Sequence, residues 1–209
     1  MDNIIIQVMK FFCAGKSNNF DSIFCLLIGV SEPIVAQTYR YDLDPEHTTV
    51  SFFVDHLGYA KVIGFFHEVS GSYSFNEETG ELSEILITVE TDSVFTNHRR
   101  RDSHLRSEDF LNSRRYPLMT FSEVTAKIIS EKTYEITGTL QLLGESKPLT
   151  LTAVWNKSGP YPFGDNNYVM GVSAHGSFRR SQFGMDYSVD NDWVGDMVDF
   201  MIEFEALRR

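Results

Sequence analysis

The residues best suited to chemistry in this sequence are six arginines that form its one basic cluster. They are Arg99, Arg100, Arg101, Arg106, Arg114 and Arg115. Guanidinium groups present paired donors that match phosphate oxygens, so the cluster could bind a phosphate or pyrophosphate head group. The alternative is structural, since Asp102 lies four residues before Arg106 and Asp109 lies three residues after it. This is the spacing of helical ion pairs, and it favours the structural role.

Histidine is the other candidate, as a ligand for a metal ion. His98 and His104 stand six residues apart, which is neither the i, i+4 spacing of a zinc protease nor a close pair on one strand. The two cysteines, Cys13 and Cys25, both lie near the N-terminus, so a closed structural zinc site is not expected in the rest of the chain. We therefore predict no metal site and no cofactor.

Catalytic signatures are missing from the sequence. Ser51, Ser103 and Ser107 lie near histidines, but no Gly-x-Ser-x-Gly elbow and no glycine-rich phosphate loop accompanies them. Because no triad can be assembled from known spacings, we predict no catalytic residues and a protein that is not an enzyme.

Length and charge narrow the class further. A chain of 209 residues without a mid-chain linker suits one domain with a substantial core. The formal net charge of −11 disfavours nucleic acid and anionic membrane surfaces as partners, because both recruit Lys and Arg. Seventeen phenylalanines are many for this length, as expected where strands must line or fill a barrel.

The first 37 residues resemble a secretory leader. Lys10 and Lys16 precede an apolar run over residues 23–30, and Ser31-Glu32-Pro33-Ile34-Val35-Ala36-Gln37 follows, with a cleavage position expected near Ala36 or Gln37. The run is too short for a permanent membrane span, which requires about 20 apolar residues. An N-terminal amphipathic arm is the alternative. The expected organisation is a leader over residues 1–37 and a folded domain over residues 38–209.

The folded domain is patterned as strands. Val50, Phe52, Val54 and His56 share one face, because successive strand side chains point to opposite sides of a sheet. Similar runs cover residues 39–44, 49–56, 62–75, 85–89, 118–129, 133–143, 148–156, 168–179 and 197–206. The pattern predicts an all-β fold, an antiparallel barrel of about eight strands with room for one ligand or for packed side chains.

One segment breaks the strand pattern. Residues 97–110 are mostly charged, and they predict a short helical insert that lies against the barrel. Asp92, Ser93 and Thr96 are the candidates for its N-cap.

A series of short motifs carries a family resemblance over residues 39–206. In chain order the motifs include Asp44-Pro45-Glu46-His47-Thr48, Phe52-Phe53-Val54-Asp55-His56-Leu57, Gly64-Phe65-Phe66, Thr96-Asn97-His98, His104-Leu105-Arg106-Ser107, Tyr116-Pro117, Gly138-Thr139-Leu140 and Lys147-Pro148-Leu149-Thr150-Leu151. This order resembles the YceI family of secreted, lipocalin-like proteins. At residues 180–184 the chain departs from the family pattern, because Gln182 stands where many members have an acid.

The resemblance implies a lipocalin-like barrel around a long apolar tunnel for a polyisoprenoid or another long-chain amphiphile. It also implies export to the periplasm and pairing as a homodimer. The ligand would then be an isoprenoid or fatty-acyl lipid that is bound and released without being chemically altered. The alternative function is a structural or stress-response interaction protein whose barrel is filled.

The inward face supplies the predicted ligand-binding residues. They are Phe52, Val54, His56, Phe66, Ile87, Phe121, Leu140, Leu142, Leu151, Phe200 and Ile202. Periodicity identifies this face but does not say whether the interior is empty, so a solid core remains the alternative for each aliphatic or aromatic member. For His56 the alternatives are a buried core imidazole and a hydrogen bond to a ligand head group near the mouth.

Overall fold

Ten strands, one α-helix and two short 3₁₀ helices (Thr91–Ser93 and Arg180–Phe183) make up the computed structural model, which describes residues 37–164 and 166–209. The strands are β1 (Tyr39–His56), β2 (Ala60–Phe66), β3 (Val69–Phe75), β4 (Leu82–Glu90), β5 (Val94–Phe95), β6 (Leu118–Ser130), β7 (Thr133–Leu142), β8 (Glu145–Pro160), β9 (Tyr168–Arg179) and β10 (Val194–Arg208). The helix is α1 (Arg99–Leu105). The predicted leader, apart from Gln37, lies outside the described residues, as do Cys13 and Cys25.

Eight of the strands close a barrel. Antiparallel pairing runs through β1, β3, β4, β6, β7, β8, β9 and β10, and β10 pairs back with β1. The remaining two extend one end, where β2 pairs with residues 50–56 of β1 and β5 pairs with β2. The predicted all-β, eight-stranded antiparallel barrel with a helical insert is confirmed.

Two predicted segments are divided differently in the structure, and β4, β8 and β10 are longer than predicted. The predicted strands at residues 39–44 and 49–56 are one continuous strand, because a bulge after Leu43 absorbs Pro45 and pairing with β10 resumes at Thr48. Proline is tolerated there since a bulged residue need not donate to the ladder. The single segment predicted over residues 62–75 is two strands, which pair with different parts of β1.

This division of β1 separates the barrel into two halves. The mouth half surrounds residues 50–56 of β1 together with β2, β5 and α1. The far half surrounds residues 39–43 of β1, β3 and the turn that follows β3. Inward side chains of both halves belong to one buried cluster, so the two halves share a continuous core.

Candidate functional site

The helical insert is shorter than predicted and is capped differently. Helix α1 covers Arg99–Leu105, and its N-cap is His98, whose Nδ1 accepts a hydrogen bond from the Arg101 backbone N–H at 3.3 Å. None of the three predicted N-caps takes this role. Thr96 serves instead as the partner of buried Asp102, which accepts from the Thr96 backbone N–H at 2.8 Å and from its hydroxyl.

The predicted ion pairs within the insert are wrong. Arg101 donates to the Thr96 hydroxyl and carbonyl at 2.8 and 2.7 Å, and Arg106 donates to the carbonyls of Asp92 and Val94 at 2.6 and 2.7 Å. The helix ends at Leu105, so the i, i+3 and i, i+4 geometry on which the pairs depended does not continue through Arg106. These arginines therefore fasten the insert to the backbone beside β5.

A cavity of about 540 Å³ occupies the mouth half. This volume lies within the usual range for small-molecule sites, about 300 to 1,000 Å³. Of the predicted ligand-binding residues, the structure brings together in its lining Phe52, Val54, His56, Phe66, Ile87, Phe121, Leu140, Leu142, Phe200 and Ile202. Leu151 is the exception to that placement. It lines a second cavity of about 130 Å³ in the far half, and Ile87, Phe121 and Ile202 line both cavities.

Glycines explain how the mouth half stays open although phenylalanines line it. A Cβ at Gly64 would collide with the Phe52 ring, and one at Gly176 would lie 2.7 Å from Cζ of Phe200. The same relation holds between Gly138 and Phe121. Each ring thus lies over a glycine of the neighbouring strand, where no side chain displaces it toward the barrel axis. The rings cover the wall and leave space between them.

The cavity reaches the surface at a mouth formed by three segments. The hairpin between β1 and β2 contributes Asp55, His56 and Leu57, α1 contributes Arg100, and the loop before β10 contributes Tyr187 and Trp193. All six are exposed. His56 is therefore not a buried core imidazole, and it lies at the mouth as the alternative interpretation placed it.

Arg180 holds the loop side of the mouth and was missed from sequence. It is 1% exposed, and its guanidinium donates to the carbonyls of Met185, Tyr187, Val194 and Gly195 at 2.7 to 2.9 Å. Burial lowers its pKa, although an arginine stays charged at neutral pH. The sequence signal for Arg180 is the motif over residues 180–184, whose departure from the family pattern lies at Gln182, an exposed residue.

A carboxylate organises the far half. Glu77 accepts hydrogen bonds from the hydroxyls of Tyr41 at 2.6 Å, of Tyr168 at 3.0 Å and of Ser158. Burial and the bond to Glu77 raise the pKa of Tyr41 far above its usual range. These contacts tie β1, β8 and β9 together at the end of the barrel opposite the mouth.

One group of side chains has the composition of a cation site. His47 Nδ1 lies 2.8 Å from a carboxylate oxygen of Asp44 and 3.9 Å from one of Glu205. The hydrogen bond that the imidazole donates to the Asp44 carboxylate raises the pKa of His47. The trio is partly exposed and lines neither of the two cavities, so it has no part in the pocket described above.

Comparison with known proteins assigns the fold to a family. A model of the YceI-like domain matches residues 41–206, which is nearly all of the barrel. The chain belongs to the YceI-like family. This YceI-like chain is 34% identical to Protein YceI of Escherichia coli O157:H7 over 186 residues, 89% of this chain and 95% of the relative. It is also 34% identical over 175 residues to a UPF0312 protein of Pectobacterium carotovorum, with 84% and 88% covered.

Solved structures of YceI-like proteins share the fold. The YceI protein of Campylobacter jejuni has a TM-score of 0.66 and 29% identity, covering 74% of this chain and 90% of that one. A polyisoprenoid-binding domain from Saccharophagus degradans has a TM-score of 0.61 at 13% identity, covering 81% and 98%. Within the described residues of the YceI-like chain, no helix has the length and apolar character needed to cross a bilayer.

Proposed function

We propose that this YceI-like protein binds a long-chain amphiphile in the mouth-half cavity and carries or sequesters it without chemistry. The observation that carries the proposal is the apolar hollow itself, lined by inward aliphatic and aromatic side chains and open at the mouth. A barrel filled to its axis would have favoured the alternative, a structural interaction protein. A related fold named as polyisoprenoid-binding supports an isoprenoid or fatty-acyl ligand.

Burial of the tail supplies the driving force. Each buried CH₂ contributes about 0.8 kcal/mol, so a tail of ~20 buried carbons gains roughly 16 kcal/mol before entropy is counted. Loss of translational and chain freedom offsets much of this gain, which leaves useful but reversible affinity. In this proposal His56, exposed at the mouth, is available to hydrogen-bond a head group.

The setting of this activity is part of the proposal. The leader-like sequence at residues 1–37 and the resemblance to exported proteins support a periplasmic carrier. A homodimer remains a prediction that light scattering of the purified protein would test.

Solvent extraction tests the binding proposal. Purified protein is extracted with organic solvent, and the extract is analysed by mass spectrometry for long-chain lipids. We expect a lipid in stoichiometric amount, or uptake of an added isoprenoid or fatty acid by the extracted and refolded protein. An empty extract together with no uptake of any added lipid would contradict the carrier and favour the interaction protein.

A further inference from the structure

Positive charge predominates in the lining of the mouth-half cavity, although the protein as a whole is acidic and the loop before β10 carries Asp186, Asp190 and Asp192 outside that lining. Arg100, Arg101 and Arg180 all line the mouth-half cavity, whereas Asp55 is the acidic residue in that lining. The whole chain has a formal net charge of −11. A cluster of guanidinium groups at the opening of an apolar cavity is the arrangement that attracts an anionic group, because the low-dielectric walls focus its field.

Two of these three arginines are already committed to the protein. Arg101 donates to Thr96, and every donating nitrogen of Arg180 points to a backbone carbonyl. Four of its five N–H groups are therefore engaged, and because the side chain is 1% exposed, Arg180 contributes mainly charge. Asp196 and Asp186 affect Arg180 through their charge and do not hydrogen-bond it. Asp196 instead accepts hydrogen bonds from the Ser181 backbone N–H and from Arg179.

Arg100 is different from its neighbours. It is exposed, it lines the cavity, and within the described part of the chain its side chain forms no hydrogen bond or ion pair. Arg99, the preceding residue on the same helix, is also exposed but does not line the cavity. The chain thus supplies one available guanidinium at the mouth and a matched one directed elsewhere.

We propose that Arg100 binds an anionic head group, a carboxylate or a phosphate, of the amphiphile whose tail lies in the mouth-half cavity. The inference rests on the proposed function and names its ligand class. The tail enters the apolar interior while the fork of Arg100 pairs with the anion at the opening. The charge of Arg180, which also lines the cavity, adds attraction, and the charge of Asp55 in the same lining opposes it.

Three probes with the same tail test the proposal. Dodecanoic acid, dodecyl phosphate and dodecanol are titrated into delipidated protein at neutral pH by calorimetry. We expect the two anions to bind about tenfold more tightly than the alcohol, as for hydrogen bonds to charged groups. Tighter binding of the phosphate assigns the phosphate class, and tighter binding of the acid assigns the carboxylate class.

Variants locate the effect. Arg100→Gln should remove most of the preference for anions and leave dodecanol affinity unchanged, whereas Arg99→Gln should leave all three affinities unchanged. Asp55→Asn should strengthen the preference. Equal affinity of the alcohol and both anions, or an equal loss from both arginine variants, would overturn this inference and leave the carrier intact. Binding of none of the three probes would overturn both.

Discussion

The mouth half and the far half contain the same kinds of inward residue, but their aromatic rings are arranged differently. In the far half, Phe75 of β3 contacts Tyr134 of β7 and Trp155 of β8, with ring centroids 6.0 and 5.4 Å apart. Tyr73 likewise meets Phe204 of β10 at 6.1 Å. These contacts join strands that are not neighbours in the sheet, so they cross the interior and leave only the cavity of about 130 Å³ there.

In the mouth half, the ring pairs between strands join neighbours, whereas His104 and Phe110 of the insert contact Tyr187 of the loop before β10. Phe52 of β1 lies 5.6 Å from Phe66 of β2, and Phe178 of β9 lies 6.1 Å from Phe200 of β10. Such pairs run along the wall. The comparison teaches that aromatic content does not decide whether a barrel is hollow; the position of glycines opposite the rings does.

The main polar side chain of each half, Glu77 in the far half and Arg180 in the mouth half, also has a different structural role. Glu77 draws three strands together across the far end, whereas Arg180 holds a loop at the edge of the mouth. One anchor closes its end of the barrel, and the other shapes an opening. This difference supports a ligand that enters at the mouth.

Phe52→Asp has the largest expected effect on this account. A carboxylate on the inward face would be buried without a partner, which is strongly disfavoured, so lipid uptake or folding should be lost. Circular dichroism and uptake of a fluorescent fatty acid measure the two outcomes. Phe65→Asp is the control, since Phe65 is exposed on the outer face of β2. Normal uptake by a folded Phe52→Asp protein would mean that the inward face is assigned incorrectly.

Arg180→Met should have the second largest effect, a loss of folding stability. The substitution leaves four carbonyls without their donor, and we expect a loss of about 3 to 5 kcal/mol in the free energy of unfolding. Urea denaturation measures it. Arg179→Met removes only a surface ion pair with Asp196, so its cost should stay within about 1 kcal/mol. Similar costs for the two variants would show that the buried arginine does not hold the mouth.

Alkaline pH should destabilise the far half. The pKa values of Tyr41 and Tyr73 are raised in the folded protein, by burial first and for Tyr41 also by the bond to Glu77. Their contribution is complete below the unfolded pKa of about 10 and is lost as pH rises toward the folded values, by up to about 1.4 kcal/mol per pH unit and group. Urea midpoints measured from pH 8 to 11 check this.

A tyrosine variant assigns that pH dependence. In Tyr41→Phe the group that titrates is gone, so the slope of stability against pH above 10 should be shallower than in the wild type. Tyr39→Phe, at the same end of β1 but only partly buried, is the control. An unchanged slope in Tyr41→Phe would separate the alkaline loss from the far-half network.

Gly64→Ala should have the smallest effect. Its Cβ would displace the Phe52 ring, and the contacts at that position are all with this side chain, so the backbone can stay in place. The ring then turns into the cavity, and we expect lipid affinity to fall by about threefold to tenfold with little change in stability. Calorimetric titration of the ligand measures it. Gly58→Ala is unsuitable as a control for Gly64→Ala. Nothing lies within 4 Å of its Cβ position, but the φ of 71° would strain an alanine there.

A double variant supplies the control for Gly64. Adding Phe52→Leu to Gly64→Ala removes the ring that collides, so affinity should return toward the Phe52→Leu value. If the alanine weakens binding equally in the presence and absence of the Phe52 ring, the glycine does not act through that ring.

Sequence periodicity predicted the barrel and most of the cavity lining because strand alternation fixes which face a residue occupies. Val54, Leu140 and Phe200 follow from this rule alone. It does not fix the position along the barrel, and Leu151 therefore faces the far-half cavity although it has the predicted orientation. Alternation also cannot tell a ring that crosses the interior from one that lies along the wall.

The polar parts of the site were less predictable for a different reason. The insert around Arg106 was predicted, but the hydrogen bonds of the Arg106 side chain were not. They go to backbone carbonyls, which every residue has and which therefore give no signal in the sequence. The same holds for Arg180, whose acceptors are all main-chain atoms. The availability of Arg100 depends on which way one short helix turns toward the mouth, and this emerges only from the folded chain.

Methyl NMR with a spin-labelled lipid tests the central claim most directly. Stearic acid with a nitroxide near its tail end is added to protein labelled at Ile and Leu methyl groups. If the tail lies in the mouth-half cavity, the methyl signals of Ile87, Leu140 and Ile202 lose intensity while those of outward Ile128 and Ile129 persist. Loss confined to the outward residues, with the inward signals unchanged, would contradict binding inside the barrel.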